Sequence, residues 1–477
     1  MIAVTIFSGK QVAIFGLGVS GVGTAKALME GGAIVHAWDD NETSREAARA
    51  QGVSISDLRE ADWTGFATLI LTPGVPLTHP EPHWTVKAAQ AAGVEIIGDT
   101  ELFCRQRRAA GSKSKIVAIT GTNGKSTTTA LTAHLLEAAG RRVAMGGNIG
   151  KAILALKPFA DDLFYVIEYS SYQIDLTPTL DANAACFLNI APDHIDRHGT
   201  LEHYAKVKTR IFSRLGADDT AVIGVDDTIC ANIADSYNGP ARVKRISSRA
   251  PIAVADGVYA QDAQLIEVIN GEAQPPVSIA GIGSLRGAHN WQNAAAAFAL
   301  TRALGLTPEE IAAGLKTFPG LAHRMEEVGR LGNLLFINDS KATNADAAEK
   351  ALASFENIYW ILGGQAKDSG IAGLERFYPR IRRAYLIGEA APAFADHLGD
   401  DLPHEMCGTL DVAVAAATRD AIAAGDNANG GVGAVLLSPA CASWDQFPNF
   451  GARGDMFRDL VANIEGVTPA KTGGATP

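Results

Sequence analysis

The chain has 477 residues, 47% of them hydrophobic and 19% charged, which is typical of a globular protein and excludes a disordered or fibrous one. A chain of this length is expected to form roughly two to four domains. Its net charge of −11 argues against a nucleic-acid or anionic-membrane partner, and no apolar run is long enough to span a membrane. The five cysteines lack CxxC spacing, so we expect no disulfide framework or zinc site and place the chain in a reducing cytoplasm.

The first predicted elements form a βαβ unit. A strand in "QVAIFG" leads into the turn "GLGVSG", a helix through "GTAKALMEGG" and a second strand, "AIVHAW", that ends at Asp39. Gly16, Gly18 and Gly21 match GxGxxG, and Asp39 lies 18 residues beyond the last of them. The pattern allows an NAD site, a site for another nucleotide, or a turn that only packs a helix on a strand, and it favours the second. A later strand, "FATLILTPG", and the stretch "VEIIGD" end this block near Gly98.

The second block begins after the basic stretch "RQRRAAGSKSK", which we predict to be an exposed connection. It opens with the strand "KIVAIT", a glycine loop and a long helix from Ser126. Gly121 and Gly124 are closer together than in the usual P-loop, but a glycine turn at a helix N-terminus still forms an anion cradle. Lys125 would reach the outer phosphates, and Ser126 or Thr127 would offer a hydroxyl group to Mg²⁺. The alternative is a glycine turn with a solvated lysine.

Four further apolar strands, "RVAMGG", "LFYVIEYS", "AACFLNIA" and "TAVIGV", predict a parallel sheet covered on both faces. Glu168 lies at the carboxyl end of one of them, where it is either a Mg²⁺ ligand or a solvated acid. His194 follows the next strand, although a loop histidine alone is more often structural or exposed. Lys206 and Lys208 lie on a predicted helix, where lysines face solvent by default. A helix in "NWQNAAAAFALTRALG" is predicted near the end of the block.

The third block repeats the alternation of strands and helices. Its strands are "LLFINDS", "NIYWILGG", "RAYLIG" and "AVLLSPA", and the pattern again indicates a doubly wound sheet.

Seven stretches occur in a fixed order: TGTNGKS, EYSSYQ, NIAPDHIDRHG, GAHNWQNAAAA, GLAHRMEEV, INDSKATN and SPACASWDQF. Together they resemble the Mur ligases, the ATP-dependent amino-acid ligases of peptidoglycan synthesis, over nearly the whole chain. The resemblance implies an α/β fold of three domains, namely a Rossmann-like UDP-substrate-binding domain (1–98), a central P-loop-type ATPase domain with a mostly parallel sheet (99–320) and a Rossmann-like amino-acid-binding domain (321–477). Within the family, "GGNIG", "INDSKATN" and "SPACASWDQF" most resemble members that add D-glutamate to UDP-N-acetylmuramoyl-L-alanine.

The resemblance also implies the chemistry. ATP would convert the alanyl carboxylate into an acyl phosphate, which the amine of D-glutamate attacks. Two Mg²⁺ ions are implied, one held by Ser126 and Glu168 and the other by His194 and a carbamylated Lys208. The partners would be small molecules only, with no nucleic acid and no membrane insertion, and we expect a monomer.

Four sets of site residues carry over from the family motifs. The catalytic set is Lys125, Glu168, His194, Lys208 and Arg324. The ATP-binding set is Gly121, Thr122, Asn123, Gly124, Lys125, Ser126, Thr127, Asn290, Asn293, Arg324, Asp339 and Lys341. The UDP-substrate set is Val19, Ser20, Asp39, Gly74 and Asn148. The D-glutamate set is Thr343, Lys367, Ser443 and Phe450. The sequence departs from the family at Asp40 and Asn41, where some relatives carry threonine and arginine, and at Trp444, where leucine is common.

Other functions remain open on the sequence alone. Another ligase of this family with a different amino acid, or a folylpolyglutamate synthase, would share the motifs, although the Asn-Pro-Arg motif typical of the meso-diaminopimelate enzymes is absent. An NAD-dependent dehydrogenase built on "GLGVSG", or a non-catalytic nucleotide-binding scaffold, would leave the Lys125 loop, Glu168 and His194 without a role.

Overall fold

A computed structural model of the chain describes residues 1–249, 255–366, 370–426 and 432–470. The chain divides into two compact units, Met1–Ala280 with Asn290–Lys316, and Gly281–His289 with Thr317–Pro477. The described residues form two sheets in the first unit and one in the second. The predicted α/β fold of three domains with mostly parallel sheets is confirmed, while the predicted limits of the three domains stay a prediction.

The N-terminal sheet has four parallel strands. Its elements are β1 (Gln11–Phe15), α1 (Val19–Glu30), β2 (Ile34–Trp38), α2 (Glu42–Ala50), β3 (Thr68–Leu71), α3 (Trp84–Ala91), β4 (Ile96–Ile97) and α4 (Asp99–Ala109). The strand order is β2-β1-β3-β4. Val12 and Ile14 of β1 lie in one buried cluster and Ala13 and Phe15 in another, because successive side chains of a strand point to opposite faces of the sheet. The central strand is therefore covered on both sides.

Helix α4 corrects one prediction. The stretch "RQRRAAGSKSK" was expected to be an exposed connection, but its first residues form the last turns of α4. Gln106 is 7% exposed, and its Oε1 accepts a hydrogen bond of 2.8 Å from the N–H of Thr5. Arg107 forms an ion pair of 3.1 Å with Asp181. The basic side chains therefore have partners in the fold, which their composition does not reveal.

The central sheet has ten strands, seven of them in a parallel run. The strands are β5 (Lys115–Thr120), β6 (Arg142–Gly147), β7 (Leu163–Glu168), β8 (Ala184–Phe187), β9 (Thr220–Gly224), β10 (Arg242–Ser247), β11 (Gly257–Gln261), β12 (Gln264–Ile269), β13 (Glu272–Ala273) and β14 (Val277–Ser278). The helices are α5 (Lys125–Ala138), α6 (Ser171–Asp175), α7 (Ile195–His198), α8 (Leu201–Thr209), α9 (Thr228–Ser236), α10 (Ala288–Ala303) and α11 (Pro308–Thr317).

The order β13-β12-β11-β10-β9-β8-β5-β7-β6 places the phosphate-loop strand β5 between β7 and β8. The carboxyl ends of these three parallel strands therefore meet at one edge, where open α/β sheets bind their ligands. The antiparallel strands β12, β13 and β14 extend the other side of the sheet and were not predicted.

The C-terminal sheet has seven strands, β15 to β21, and their order across the sheet is β19-β18-β17-β20-β16-β15-β21. These are β15 (Glu326–Leu331), β16 (Leu334–Asn338), α12 (Ala345–Leu352), β17 (Ile358–Gly363), β18 (Ile381–Ile387), α13 (Ala391–Leu398), β19 (His404–Gly408), α14 (Leu410–Ala423), β20 (Ala434–Leu437), α15 (Phe450–Ala462) and β21 (Thr468–Pro469). The strands from β19 to β16 are parallel, and β15 runs antiparallel to both of its neighbours. Because β20 lies between β16 and β17, the loops after these three strands share one edge.

Across the four described ranges, no helix combines the length and the apolar character that crossing a membrane requires.

Candidate functional site

The short glycine loop is held by the segment that follows β8. The N–H of Thr122 donates to the backbone oxygen of Asn189, and the N–H of Asn123 donates to the Asn189 Oδ1, both at 2.9 Å. Gly121 and Gly124 have φ angles of +155° and +81°, which L side chains rarely adopt. The loop leads directly into α5, whose N-terminus is the positive end of its dipole. This arrangement supports the predicted anion cradle.

Two lysines converge on one backbone oxygen of the loop. The Nζ of Lys125 donates to the oxygen of Gly121 at 3.0 Å and to that of Thr122 at 2.8 Å. The Nζ of Lys208 donates to the same oxygen of Gly121 at 2.9 Å and to the Thr120 Oγ1 at 3.2 Å. The structure therefore brings together two of the predicted catalytic residues, from helices α5 and α8.

The burial of Lys208 contradicts the default position of a helix lysine. It is 1% exposed, whereas Lys206 on the same helix is exposed. Burial and the charge of Lys125 lower the pKa of Lys208 well below its usual range, while the charges of Asp193 and Glu168 oppose this. The neutral amine, the form that reacts with CO₂, is therefore favoured at this position.

Glu168 presents a buried oxygen at the end of β7. The residue is 2% exposed, and its Oε1 accepts a hydrogen bond of 2.8 Å from the Nδ2 of Asn148. Within the described part of the chain its Oε2 is buried and has no hydrogen-bond partner. A buried carboxylate oxygen without a donor is costly unless a cation occupies its other side. Mg²⁺ is such a cation, because it prefers oxygen ligands. Ser126, the other ligand predicted for this ion, lies on the first turn of α5.

The predicted metal ligands are few for each ion. Among the residues that the structure describes, no group of three or more histidine, cysteine, aspartate or glutamate side chains is arranged to hold a metal ion. A serine and a modified lysine belong to the predicted set, so each ion would have two protein ligands. Mg²⁺ commonly binds proteins through one or two side chains and takes its other ligands from phosphate and water.

His194 and Lys208 lie against the same aromatic ring. The His194 ring centroid is 6.2 Å from that of Tyr204, and the Lys208 Nζ lies 4.6 Å from the same ring. His194 has a left-handed backbone with φ of 54° and is the N-cap of α7. Its Nε2 is 3.4 Å from the Oδ2 of Asp193. The structure therefore places the second predicted metal pair in one neighbourhood.

Asn290 and Asn293, on α10, belong to the same site. The Asn293 Oδ1 accepts a hydrogen bond of 3.3 Å from the Thr128 Oγ1, and a Cβ built on Gly124 would lie 2.1 Å from it. The Asn293 Nδ2 donates to the Asn290 Oδ1 at 3.1 Å. The glycine at the end of the loop is therefore required by the close approach of α10.

The predicted uridine contacts surround the start of α1. The Ser20 Oγ donates to the Asp99 Oδ2 at 2.7 Å, and the Asp39 Oδ2 accepts from the N–H of Leu17 at 2.7 Å. Burial raises the pKa of Asp99, and the hydrogen bond from Ser20 opposes this. Val19 is 90% exposed at the same helix end. Asp39 therefore shapes the glycine turn, and Asp99 orients the Ser20 hydroxyl group.

The other two predicted UDP-substrate residues contact the central domain. The backbone oxygen of Gly74 accepts a hydrogen bond of 2.9 Å from the Arg197 Nη1, on α7. Asn148 is the residue that donates to Glu168. Through Asn148, the substrate set and the metal set are therefore linked by a direct hydrogen bond.

Asp40, where some relatives carry threonine, holds a cluster of nitrogen donors. Its carboxylate accepts hydrogen bonds of 3.1 Å from both the Arg59 Nη2 and the Trp84 Nε1. The His83 Nε2 lies 3.3 Å from the same carboxylate, and the Arg59 guanidinium lies 5.4 Å from the Trp38 ring centroid. This departure therefore builds an arginine and tryptophan cluster at the end of β2.

In the second unit, Asp339 is a buried carboxyl group just after β16. It is 7% exposed, its Oδ2 accepts from the Ser438 Oγ at 2.9 Å, and its Oδ1 accepts from the N–H of Met325 at 3.2 Å. Burial raises the pKa of Asp339 to about 7, opposed by these hydrogen bonds and by the charge of Arg324. Arg324 and Asp339, predicted from separate motifs, therefore interact.

The remaining predicted residues of this unit lie on the loops after β16 and β20 and at the start of α15. The Nζ of Lys341 is 5.0 Å from the ring centroid of Phe450, the first residue of α15. Ser443 is 2% exposed, and Thr343 is half-buried just before α12. Lys367 lies outside the described residues.

Family models match most of the chain. The MurD-like N-terminal domain of Mur ligases matches residues 10–98, the Mur ligase middle domain 119–301, and the Mur ligase, glutamate ligase domain 323–441. A UDP-N-acetylmuramoylalanine--D-glutamate ligase of Chelativorans sp. (strain BNC1) is 57% identical over 468 residues, 98% of each chain. The chain belongs to the Mur ligase family. It is therefore an ATP-dependent ligase that forms amide bonds in peptidoglycan synthesis.

Other relatives agree with this assignment. The UDP-N-acetylmuramoylalanine--D-glutamate ligase of Mesorhizobium japonicum is 55% identical over 470 residues, 98% of this chain and 99% of that protein. Among solved structures, UDP-N-acetylmuramate-alanine ligase from Thermotoga maritima has a TM-score of 0.55 and 17% identity over 94% of this chain and 98% of its own. At that identity the solved structure supports the fold alone.

Sequence analysis missed the residues that hold the Mur ligase motifs in place. Asn189 and Asp193 lie inside a quoted motif, so the stretch "NIAPDH" carried the available signal. Ser340 likewise lies inside the quoted motif INDSKATN, whereas Asp99 and Arg453 carry no signal of their own, because their partners are distant in the sequence. Only the tertiary structure assigns them.

Proposed function

We propose that this Mur ligase adds D-glutamate to UDP-N-acetylmuramoyl-L-alanine at the expense of ATP. The proposal rests on the similarity of the chain to relatives named for that reaction. These relatives are 54–57% identical to it over at least 98% of its length. The similarity spans all three matched family domains, so it includes the regions proposed for the UDP substrate, ATP and the amino acid.

The proposed reaction has two steps. An oxygen of the alanyl carboxylate attacks the γ-phosphorus of ATP, and the bond from that phosphorus to the β,γ-bridging oxygen breaks. The products of this step are an acyl phosphate and ADP. The amine nitrogen of D-glutamate then attacks the carbonyl carbon, the bond from that carbon to the phosphate oxygen breaks, and the amine gives up a proton. The phosphate supplies the leaving group that a free carboxylate does not have.

Cationic groups are needed because a carboxylate and a triphosphate repel each other. Lys125 would contact the outer phosphates, Arg324 would stabilise the charge on the γ-phosphoryl group, and Asn290 and Asn293 would bind near the adenine. Mg²⁺ ions held by Ser126 and Glu168, and by His194 and a carbamylated Lys208, would supply positive charge to the phosphate oxygens. The buried Glu168 Oε2 without a donor supports the first of these sites.

Carbamylation of Lys208 would turn a buried cation into an anionic oxygen ligand. The neutral amine adds to CO₂, a nitrogen–carbon bond forms, and one proton leaves. Burial, the lowered pKa and the sharing of the Gly121 oxygen with Lys125 all disfavour a second ammonium group at this position.

The remaining residues are proposed for substrate recognition. The UDP substrate would contact Val19, Ser20, Asp39, Gly74 and Asn148. ATP would also contact Asp339 and Lys341, and D-glutamate would contact Thr343, Lys367, Ser443 and Phe450. We also propose that the protein works as a monomer in the cytoplasm.

A phosphate-release assay tests the function. The full chain is incubated with ATP, Mg²⁺, UDP-N-acetylmuramoyl-L-alanine and one amino acid at a time, and inorganic phosphate is measured while mass spectrometry identifies the product. We expect release with D-glutamate. Release with a different amino acid in its place, or no release with any, would overturn the assignment.

Two variants test the phosphate and metal site. Lys125→Ala and Glu168→Gln are expected to abolish substrate-dependent phosphate release while circular dichroism shows an intact fold. Lys206→Ala, which removes an exposed lysine of α8, is the matched control and should keep wild-type activity. Normal turnover by either site variant would contradict the proposed roles.

A third variant tests the carbamate. Lys208→Ala is expected to be inactive and to recover part of its activity when acetate or another small carboxylate is added. The absence of recovery at any acetate concentration, together with no ¹³C carbamate signal in wild-type protein supplied with labelled bicarbonate, would refute carbamylation.

A further inference from the structure

We propose that Arg453 is a positioning residue that holds together the loops after β16 and β20, which carry acceptor and nucleotide contacts of the second unit, and the end of β17. The inference rests on the proposed function, since those contacts are the ones assigned above to D-glutamate and ATP. Arg453 lies in the first turn of α15 and is 1% exposed, one of the largest fully buried side chains of the described residues.

The guanidinium group of Arg453 reaches the segments after three adjacent strands. After β16, its Nε donates to the Ser340 Oγ at 3.0 Å and its Nη2 to the Ser340 backbone oxygen at 2.8 Å. After β20, it donates to the oxygens of Cys441 at 3.0 Å and Ala442 at 3.4 Å. At the end of β17, it lies 3.5 Å from the oxygen of Gly363. One planar fork therefore fixes the separation of three loops.

Two of these segments, those after β16 and β20, carry proposed ligand contacts. Ser340 stands between Asp339 and Lys341, and Ala442 precedes Ser443. The backbones also pack closely, because a Cβ built on Gly364 would lie 2.3 Å from the oxygen of Ala442. A shift of the guanidinium group would therefore move residues of both proposed sites together.

Ser340 extends the same connection to the start of α15. Its Oγ accepts from Arg453 and donates to the backbone oxygen of Phe450 at 2.8 Å. Phe450, a proposed acceptor contact, is thereby tied to the loop after β16. The Ser340 hydroxyl group supplies a second, smaller position at which the connection can be broken.

Within the described part of the chain, the hydrogen bonds of Arg453 go to hydroxyl and carbonyl oxygens, not to a carboxylate. Burial lowers the pKa of Arg453 to about 10, so the group still carries its charge at neutral pH. A buried cation held by carbonyl dipoles is costly to desolvate and is weak evidence of a gain in stability. We therefore expect Arg453 to act through the directions of its guanidinium hydrogen bonds. Its positive charge also favours the binding of a dicarboxylate acceptor nearby.

The test compares Arg453→Lys, Arg453→Ala and Ser340→Ala with wild type. We expect Arg453→Ala to raise the KM for D-glutamate about tenfold or more, since several charge-assisted hydrogen bonds are lost. The KM for UDP-N-acetylmuramoyl-L-alanine should stay unchanged, because its proposed contacts lie in the first unit. Arg453→Lys keeps the charge but not the fork and should also raise the KM for D-glutamate. Added guanidinium ion should restore Arg453→Ala, and tetramethylammonium ion should not.

Arg383→Met is the matched control. Arg383 lies on β18 of the same sheet and forms ion pairs with Asp420 at 3.1 Å and Glu405 at 3.4 Å, away from the three loops. We expect this variant to lower the melting temperature without changing any KM. A purely structural role of Arg453 would give the same result, namely a lower melting temperature with unchanged KM values and no recovery with guanidinium.

The outcomes separate this inference from the proposed function. If wild type releases no phosphate with D-glutamate, the proposed function fails, and hydrogen exchange of residues 339–343 and 440–444 then tests Arg453 alone. Faster exchange of both segments in Arg453→Ala, and not in Arg383→Met, would support the positioning role. If Arg453→Ala does not fold, Arg453→Lys and Ser340→Ala decide. A KM for D-glutamate within twofold of wild type in both of these, with unchanged exchange, would overturn it.

Discussion

Asp339→Asn tests the buried electrostatics of the second unit. Burial raises the pKa of Asp339 from its ordinary value of 3.8 to about 7, against the opposing hydrogen bonds of Ser438 and Met325. A carboxyl group whose pKa is higher in the folded state stabilises the fold while it is protonated. That stabilisation is fully present below the unfolded pKa and is lost as the pH rises through the folded pKa.

The size of the effect follows from the pKa. Each pKa unit corresponds to about 1.4 kcal/mol, so the full rise for Asp339 is worth about 4 kcal/mol. Between pH 5 and pH 8, linkage predicts that about 2.5 kcal/mol of stability is lost through this one group. Asparagine cannot ionise, so Asp339→Asn should lose that much less stability than wild type over the same interval.

Hydrogen exchange of peptides from β16 and β20 measures the local opening free energy at the two pH values, after correction for intrinsic exchange rates. Asp420→Asn is the control, because hydrogen bonds from Tyr385 and Arg419 outweigh burial and lower the pKa of Asp420. Its titration lies below pH 5, so this variant should parallel wild type. Equal pH dependence in wild type and Asp339→Asn would refute the reasoning.

Three further predictions concern the first unit. Asn148→Leu removes the donor to the buried carboxylate at the end of β7, so phosphate release should require more Mg²⁺; an unchanged Mg²⁺ dependence would contradict this. Arg302→Met removes one of the cations paired with Glu267, which is 2% exposed. We expect thermal unfolding to show a free energy of unfolding lower by about 2 kcal/mol. A change near zero would show that this ion pair does not stabilise the fold. Gly21→Ala would place a Cβ 1.9 Å from the backbone oxygen of Gly16. We expect this variant to have a lower melting temperature and a higher KM for the UDP substrate. A Cβ on Gly23 would have nothing within 4 Å, so Gly23→Ala should match wild type.

The fold was predictable wherever strands are apolar. The runs that became β5, β7, β8 and β9 are buried along almost their whole length, so their composition indicated a parallel sheet. Strand β10 was missed because its sequence, RVKRIS, is basic. Lys244 and Arg245 form ion pairs of 2.7 Å with Glu267 and Asp235, partners that become visible only in the folded chain.

The candidate site was predictable as far as its residues belong to family motifs. The motifs named Lys125, Glu168 and Lys208, but helix pattern alone placed Lys208 in solvent, and its packing under the loop depends on contacts with β5. Arg453 could not be found in this way, because it contacts Ser340 across 113 residues of chain. The motifs therefore identify the proposed ligand contacts, and the side chains that hold them require the tertiary structure.

The carbonyl of Gly121 that receives both lysines suggests an order of loading. While Lys125 rests on this oxygen, burial and then the charge of Lys125 lower the pKa of the neighbouring Lys208 amine, which favours its reaction with CO₂. An arriving triphosphate would draw Lys125 away and, by removing that neighbour, make the amine more basic and less reactive. If Lys208 carries the proposed carbamate, we therefore expect it to form before nucleotide binds, so enzyme depleted of CO₂ and given ATP first should activate only after a lag.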